Sequence, residues 1–216
     1  MNKEWSSLNK DMQVQIKKKD TLEPGKGTLY KLRDELMDTI LSFKDDLDRK
    51  DFDAMPFMNA DGYHSKNIAY SIWHIFRIED IVAHTLINGD EQVFFAGDWQ
   101  KRIGSPIITT GNELSGEKIA EFSAKLDVRA LYDYCRAVKD STNELLKELQ
   151  YKDLKRKFTD DDRKRIIETG SVSEDEDAFW LVDYWCGKNV KGLIQMPFSR
   201  HWIMHIEAMC RIKNKL

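Results

Sequence analysis

The stretch Pro197-Phe-Ser-Arg-His-Trp-Ile-Met-His-Ile-Glu-Ala-Met-Cys-Arg-Ile-Lys213 sets His201 and His205 four residues apart in a strongly helical context. Four residues is about 40° past one full helical turn, so both imidazoles project from nearly the same face, one above the other. That spacing suits two ligands of one transition metal. Pro197 fits the first turn of this helix, where a missing N–H costs nothing. Two histidines do not make a site, and the chain has only five. The best third ligand is His74, which lies in the only other strongly apolar helix that carries histidines. His64 and His84 stand ten residues either side of it, turned roughly 80° off its face, and read as surface or cap residues.

Working outward, Ile68, Ile72, Ile75, Ile78, Val82 and Leu86 repeat at threes and fours and predict a helix over about 65–88, stopped by Asn88-Gly89. Leu29, Leu32, Leu36, Ile40, Phe43 and Leu47 give the cleanest amphipathic pattern and predict a helix over 28–48. Asp127 is an N-cap for a third long helix, 127–149, whose buried face is Leu131, Tyr134, Val138, Leu145 and Leu149. The histidine pair rides on the fourth, 197–214. Trp5, Leu8, Met12 and Ile16 predict a short accessory helix within residues 1–27, ended by Thr21-Leu-Glu-Pro-Gly-Lys-Gly27. Residues 89–125 read as a long crossover with a small helix near 117–124, and 151–177, rich in charge, as a surface excursion holding a short hairpin or nothing regular. The aromatic run Phe179 to Trp185 reads as a helical segment broken at Gly187. The expected fold is all-α: one four-helix domain over 28–216, with long crossovers and short accessory helices.

Composition removes several functional classes. A 41% hydrophobic, 33% charged chain with net charge -3 is globular and lacks the basic face of a nucleic-acid binder. No apolar run approaches bilayer length and no apolar leader opens the sequence, which predicts a cytoplasmic protein without membrane association. Cys135, Cys186 and Cys210 show no C-x-x-C pattern, so they read as buried free thiols. Six tryptophans and an added amphipathic helix are more apolar surface than one small bundle need hide, which predicts a homodimer. Nucleotide-binding, zincin and α/β-hydrolase motifs do not occur.

If the helices bearing His74 and the histidine pair lie side by side, three neutral imidazoles converge and leave an open position on a divalent ion. Tyr70 and Arg77 share the His74 face and are candidates to line that open side, although a core tyrosine and an Arg77 paired with Glu79 or Asp80 fit the same positions. Hydrogen-bonded core histidines without metal remain the alternative.

Ser71-Ile-Trp-His74-Ile and Phe198-Ser-Arg-His201-Trp-Ile-Met-His205-Ile, in this order and separation, resemble the DinB/YfiT-like superfamily of metalloenzymes over roughly residues 28–216. The resemblance implies a four-helix bundle with a long crossover after its second helix. It implies His74, His201 and His205 as ligands of zinc, nickel or another divalent ion. It also implies a small-molecule substrate, with a low-molecular-weight thiol such as bacillithiol or mycothiol serving a transferase or isomerase. A metal-dependent hydrolase is the alternative, as is a non-catalytic bundle in which the aromatic region 179–202 binds a small ligand or a second subunit.

Overall fold

The computed structural model describes residues 2–216, and all regular structure among them is helical apart from one isolated antiparallel bridge between Lys157 and Asn189. Helix α1 (Lys3–Gln15) is capped by the Asn2 side chain and packs along α2 (Leu22–Asp46). Next comes α3 (Ile68–Asp80), which continues as a wider π-helical stretch, Ile81–Asn88, until Gly89 ends it with φ of 75°. The short helices α4 (Val93–Ala96), α5 (Trp99–Ile103) and α6 (Glu117–Lys125) lead to α7 (Val128–Glu148). Helices α8 (Asp160–Glu168), α9 (Glu176–Cys186) and α10 (Val190–Gln195) follow, and a π-helical turn, Met196–Arg200, opens into α11 (His201–Lys213).

The long elements touch in a ring, α2 on α7, α7 on α3, α3 on α11 and α11 on α2. The apolar stripe explains why. Leu29, Leu32, Leu36, Ile40 and Phe43 of α2 are all buried, and removing each such side chain from water contributes roughly 1.5–3 kcal/mol. Helix α3 is buried on every side, from Ile68 to Asp80, so its polar residues must find partners inside the protein. No helix among the described residues is long and apolar enough to cross a membrane.

Three expectations from sequence need correction. Helix α2 starts at Leu22 and not near residue 28, because Pro24 sits in the first turn, where no N–H is needed. Gly25 there lets α1 come close: a Cβ would lie 2.8 Å from Ile16 Cγ2. The charged region 151–177 is not merely a surface excursion. It forms α8, and Leu154, Ile166 and Val172 plug a second apolar cluster with Leu86, Trp185 and Phe198. His84 is no surface residue: it is buried, with Nδ1 2.8 Å from Asp90 Oδ1 and Nε2 3.0 Å from Ser141 Oγ. Trp5, Trp73, Trp99, Trp185 and Trp202 are all buried within the chain, so the surplus of tryptophan behind the expected homodimer shrinks to the half-exposed Trp180. Cys135, Cys186 and Cys210 are free thiols, but only Cys135 is buried as expected, Cys186 and Cys210 being partly exposed.

Candidate metal centre

The packing of α3 on α11 brings His74 against His201 and His205. Ring centroids are 5.1 Å apart for His74–His201, 4.8 Å for His74–His205 and 4.6 Å for His201–His205. One nitrogen from each ring lies within 4.8 Å of the others. Nitrogens sharing one ion at about 2.0–2.1 Å sit closer than that, so the rings would draw in by roughly an ångström on loading. The π-helical turn before α11 has its own local cause. Pro197 donates no N–H, Ser199 Oγ reaches back to the Ile194 carbonyl at 3.0 Å, and the His201 N–H bonds to Met196 O, five residues behind.

Each ring is neutral. Burial pushes His74 down to about 4, against the opposing effect of its hydrogen bond to Thr110, and the nearby Lys66 ammonium lowers it further. Burial likewise holds His201 and His205 well below the ordinary range, reinforced by neighbouring histidines. His74 Nδ1 lies 2.8 Å from the Thr110 carbonyl, and a carbonyl only accepts. Nδ1 therefore carries the proton and Nε2 keeps a free lone pair, the arrangement that orients a metal-ligating histidine. His201 Nδ1 and His205 Nδ1 are buried with no hydrogen-bond partner. A core histidine without a ligand is expected to have its nitrogens satisfied, and each orphan costs about 1–3 kcal/mol. Three neutral imidazoles, two of them with a buried nitrogen that no protein group answers, and no carboxylate within the cluster fit a shared divalent cation.

The histidines form the floor of a cavity of about 680 Å³. Tyr70 lines it as expected: its ring stacks on His74 at 5.5 Å and its hydroxyl donates to Gly111 O at 2.9 Å. Arg77 does not line it. Its guanidinium turns to Asp80 Oδ2 at 3.1 Å, Gln92 Oε1 at 2.9 Å and Ile108 O at 2.7 Å, and is fully buried one turn beyond the histidines. Three residues along a helix still leave an angle of about 60°, enough for the 104–110 loop to draw Arg77 away. Lys66, at the entry to α3, and Asn112, in the loop after Thr110, also line the cavity, although no sequence signal singles them out. From sequence, the aromatic region 179–202 figures only as a stretch that binds a small ligand or a second subunit in the non-catalytic alternative. Trp180, Leu181, Tyr184 and Trp185 of α9 in fact form a wall of the histidine cavity. The positive φ of Gly111, 78°, marks the tight turn that delivers the Thr110 and Gly111 carbonyls to His74 and Tyr70.

Fold and site thus define an all-helical protein with three buried histidines placed to hold a metal ion at the floor of an aromatic cavity. Compared with protein-family models and with curated proteins, the chain matches none.

Proposed function

We propose that His74, His201 and His205 hold a divalent transition metal, zinc or nickel, and that the ring of α2, α7, α3 and α11 is a four-helix bundle of the DinB/YfiT-like kind. The observation that carries the reading is the trio itself: three neutral imidazoles, two with orphaned nitrogens, at the base of a cavity large enough for a small molecule. Three neutral ligands leave the ion's dipositive charge uncompensated, which favours the anionic form of a thiol or water beside it.

The activity proposed is transfer of a low-molecular-weight thiol to an electrophilic small molecule. Such transfer forms a sulfur–carbon bond and breaks the bond to the leaving group, which departs with its electron pair while the thiol proton passes to water. The protein's part is to fix the His74 imidazole through Thr110 and to keep water off the reacting atoms with the α9 wall. A hydrolase needs a positioned general base, and Asp177, the one carboxylate among the residues lining the cavity, is exposed on the first turn of α9. Elemental analysis of untagged protein tests the metal: near-stoichiometric metal, lost in His201→Ala and His205→Ala, is expected. Metal-free protein that stays metal-free on incubation with zinc and nickel would overturn it. Conjugation of bacillithiol to monochlorobimane above the His74→Ala background tests the reaction. Metal-dependent ester hydrolysis without thiol would reverse the assignment.

A further inference from the structure

Lys66 is the one cation among the residues lining the cavity, and it is placed unlike a surface lysine. It is half-buried at the entry to α3, with Nζ 5.1 Å from the centre of the Tyr70 ring and donating to the Leu114 carbonyl at 3.2 Å. No carboxylate forms an ion pair with it among the described residues, and Asp177 acts on it only through its field. Burial lowers its pKa, with Asp177 opposing. An ammonium drawn out of water without a counter-ion is costly unless something anionic joins it. Its charge is felt at both His74 and His205, so an anion at Lys66 sits beside the histidine floor.

The walls specify the rest of the ligand. Tyr63, Trp180 and Tyr184 offer flat faces, and Trp180 is half-exposed with its indole N–H tied back to the Asp177 carbonyl at 3.0 Å, leaving the ring to present apolar area. We propose that this cavity takes a small organic carboxylate with a flat apolar body, its anionic head at Lys66 and its body between Trp180, Tyr184 and Tyr63. A single ammonium in an apolar pocket matches one carboxylate. A phosphate dianion would call for a second cation, and Lys66 is the one that the lining supplies. The inference deepens the metal-centre reading and rests on it for the direction in which the reacting end of the ligand points. The recognition by Lys66 is separable from it.

The test titrates 3-phenylpropanoate, its neutral amide 3-phenylpropanamide and the cation 3-phenylpropylammonium into metal-free and zinc-incubated protein, read by calorimetry and tryptophan fluorescence. The carboxylate is expected to bind at least about tenfold tighter than the amide in both preparations, with the ammonium weakest. Lys66→Met should bring the carboxylate down to the amide's affinity, Lys66→Arg should restore most of the preference, and Trp180→Ala should weaken carboxylate and amide alike. Equal binding of carboxylate and amide to the wild type, a preference for the ammonium, or an unchanged carboxylate-to-amide ratio in a folded Lys66→Met protein would each overturn the proposal. Lys66-dependent carboxylate binding in a protein that takes up no zinc would leave this inference standing and sink the metal centre. Zinc uptake without carboxylate preference would do the reverse.

Discussion

Helix α3 carries two buried polar clusters, and they differ in completeness. Glu79 and Asp80, a turn and a half beyond His74, belong to networks with every charge answered. Arg33 meets Glu79 through two hydrogen bonds, at 2.6 and 2.8 Å, and Trp202 Nε1 donates to the same carboxylate at 2.8 Å. Asp80 accepts from Arg77, from Tyr134 and from the Val93 and Phe94 N–H groups that open α4. The histidine cluster is almost as buried, yet two of its nitrogens have no partner and it faces a cavity. Burial of polar groups is common to both, so burial does not mark function. Incompleteness does: a closed network holds helices together, whereas an open one awaits a ligand.

The comparison breaks first if the two clusters respond alike to truncation. Glu79→Ala leaves Arg33 charged, fully buried and without its counter-ion, and is expected to cost about 3–5 kcal/mol in urea unfolding. His201→Ala in metal-free protein removes a group with an unsatisfied nitrogen, and should cost under about 1.5 kcal/mol. Equal losses would mean that the histidines are structural after all.

Bound metal should close that gap. Zinc at a hundred to a thousand times its dissociation constant stabilises a folded binding site by about 2.7–4.1 kcal/mol. We expect such a gain in the wild type and in Tyr134→Phe, and its loss in His74→Ala, His201→Ala and His205→Ala. A gain that survives in the histidine variants would place the metal elsewhere.

Proton binding gives a third separation. Folded His74 has its pKa depressed to about 4 from 6.5, so between those values the unfolded chain binds a proton that the folded protein does not. Stability of the metal-free protein therefore falls as pH drops through that window and is flat above it, with the His74 share reaching about 1.4 kcal/mol per pH unit. His201 and His205, shifted in the same direction, add to the slope. Urea midpoints between pH 7.5 and 5 should show the decline, and His74→Ala should reduce it. A slope unchanged by His74→Ala would contradict the neutral assignment.

How much of this could be read from the sequence depends on whether the signal was local. The stripes of α2, α3 and α7 repeat every three or four residues and were visible, as was the facing pair His201 and His205. The start of α2 was obscured because Pro24 and Gly25 read as a break, although one sits in a tolerant first turn and the other makes room for Ile16. Leu154, Ile166 and Val172 are too sparse among charges to set a period, yet each fills the second apolar cluster. Lys66 and Trp180 were not recognised as members of one site because they reach the cavity from elements more than a hundred residues apart. Helical angle makes Arg77 a cavity candidate, but the alternative that the sequence also offers, pairing with Asp80, is the one found, together with Gln92 and the Ile108 carbonyl.

The smallest expected effect tests the comparison most finely, because each cluster contains one buried tyrosine with a hydrogen-bonded hydroxyl. Tyr134 donates to Asp80 Oδ2 at 2.8 Å and accepts from Arg77 at 3.2 Å, while Tyr70 donates to Gly111 O at 2.9 Å. Phenylalanine at either position removes the hydroxyl and little volume, so Tyr70→Phe should cost about 0.5–1.5 kcal/mol and Tyr134→Phe, whose hydroxyl bonds two charged groups, about 1.5–3 kcal/mol. The consequences for metal should part. Without the Tyr134 hydroxyl, Asp80 still holds Arg77 and two backbone N–H groups, and nothing in that network reaches the histidines' free nitrogens. Without the Tyr70 hydroxyl, the Thr110–Gly111 turn loses one of its two ties to α3, the other being the carbonyl that orients His74. Direct partners of metal-ligating histidines are worth about 10–100-fold in affinity, and a residue one bond further removed should be worth less. We therefore expect Tyr70→Phe to weaken zinc binding several-fold, by about tenfold at most, and Tyr134→Phe to leave it unchanged, measured by competition with a chromogenic chelator. The same zinc affinity in both variants would show that the turn is held without Tyr70. A loss confined to Tyr134→Phe would couple the closed network to the metal and erase the distinction between the two clusters.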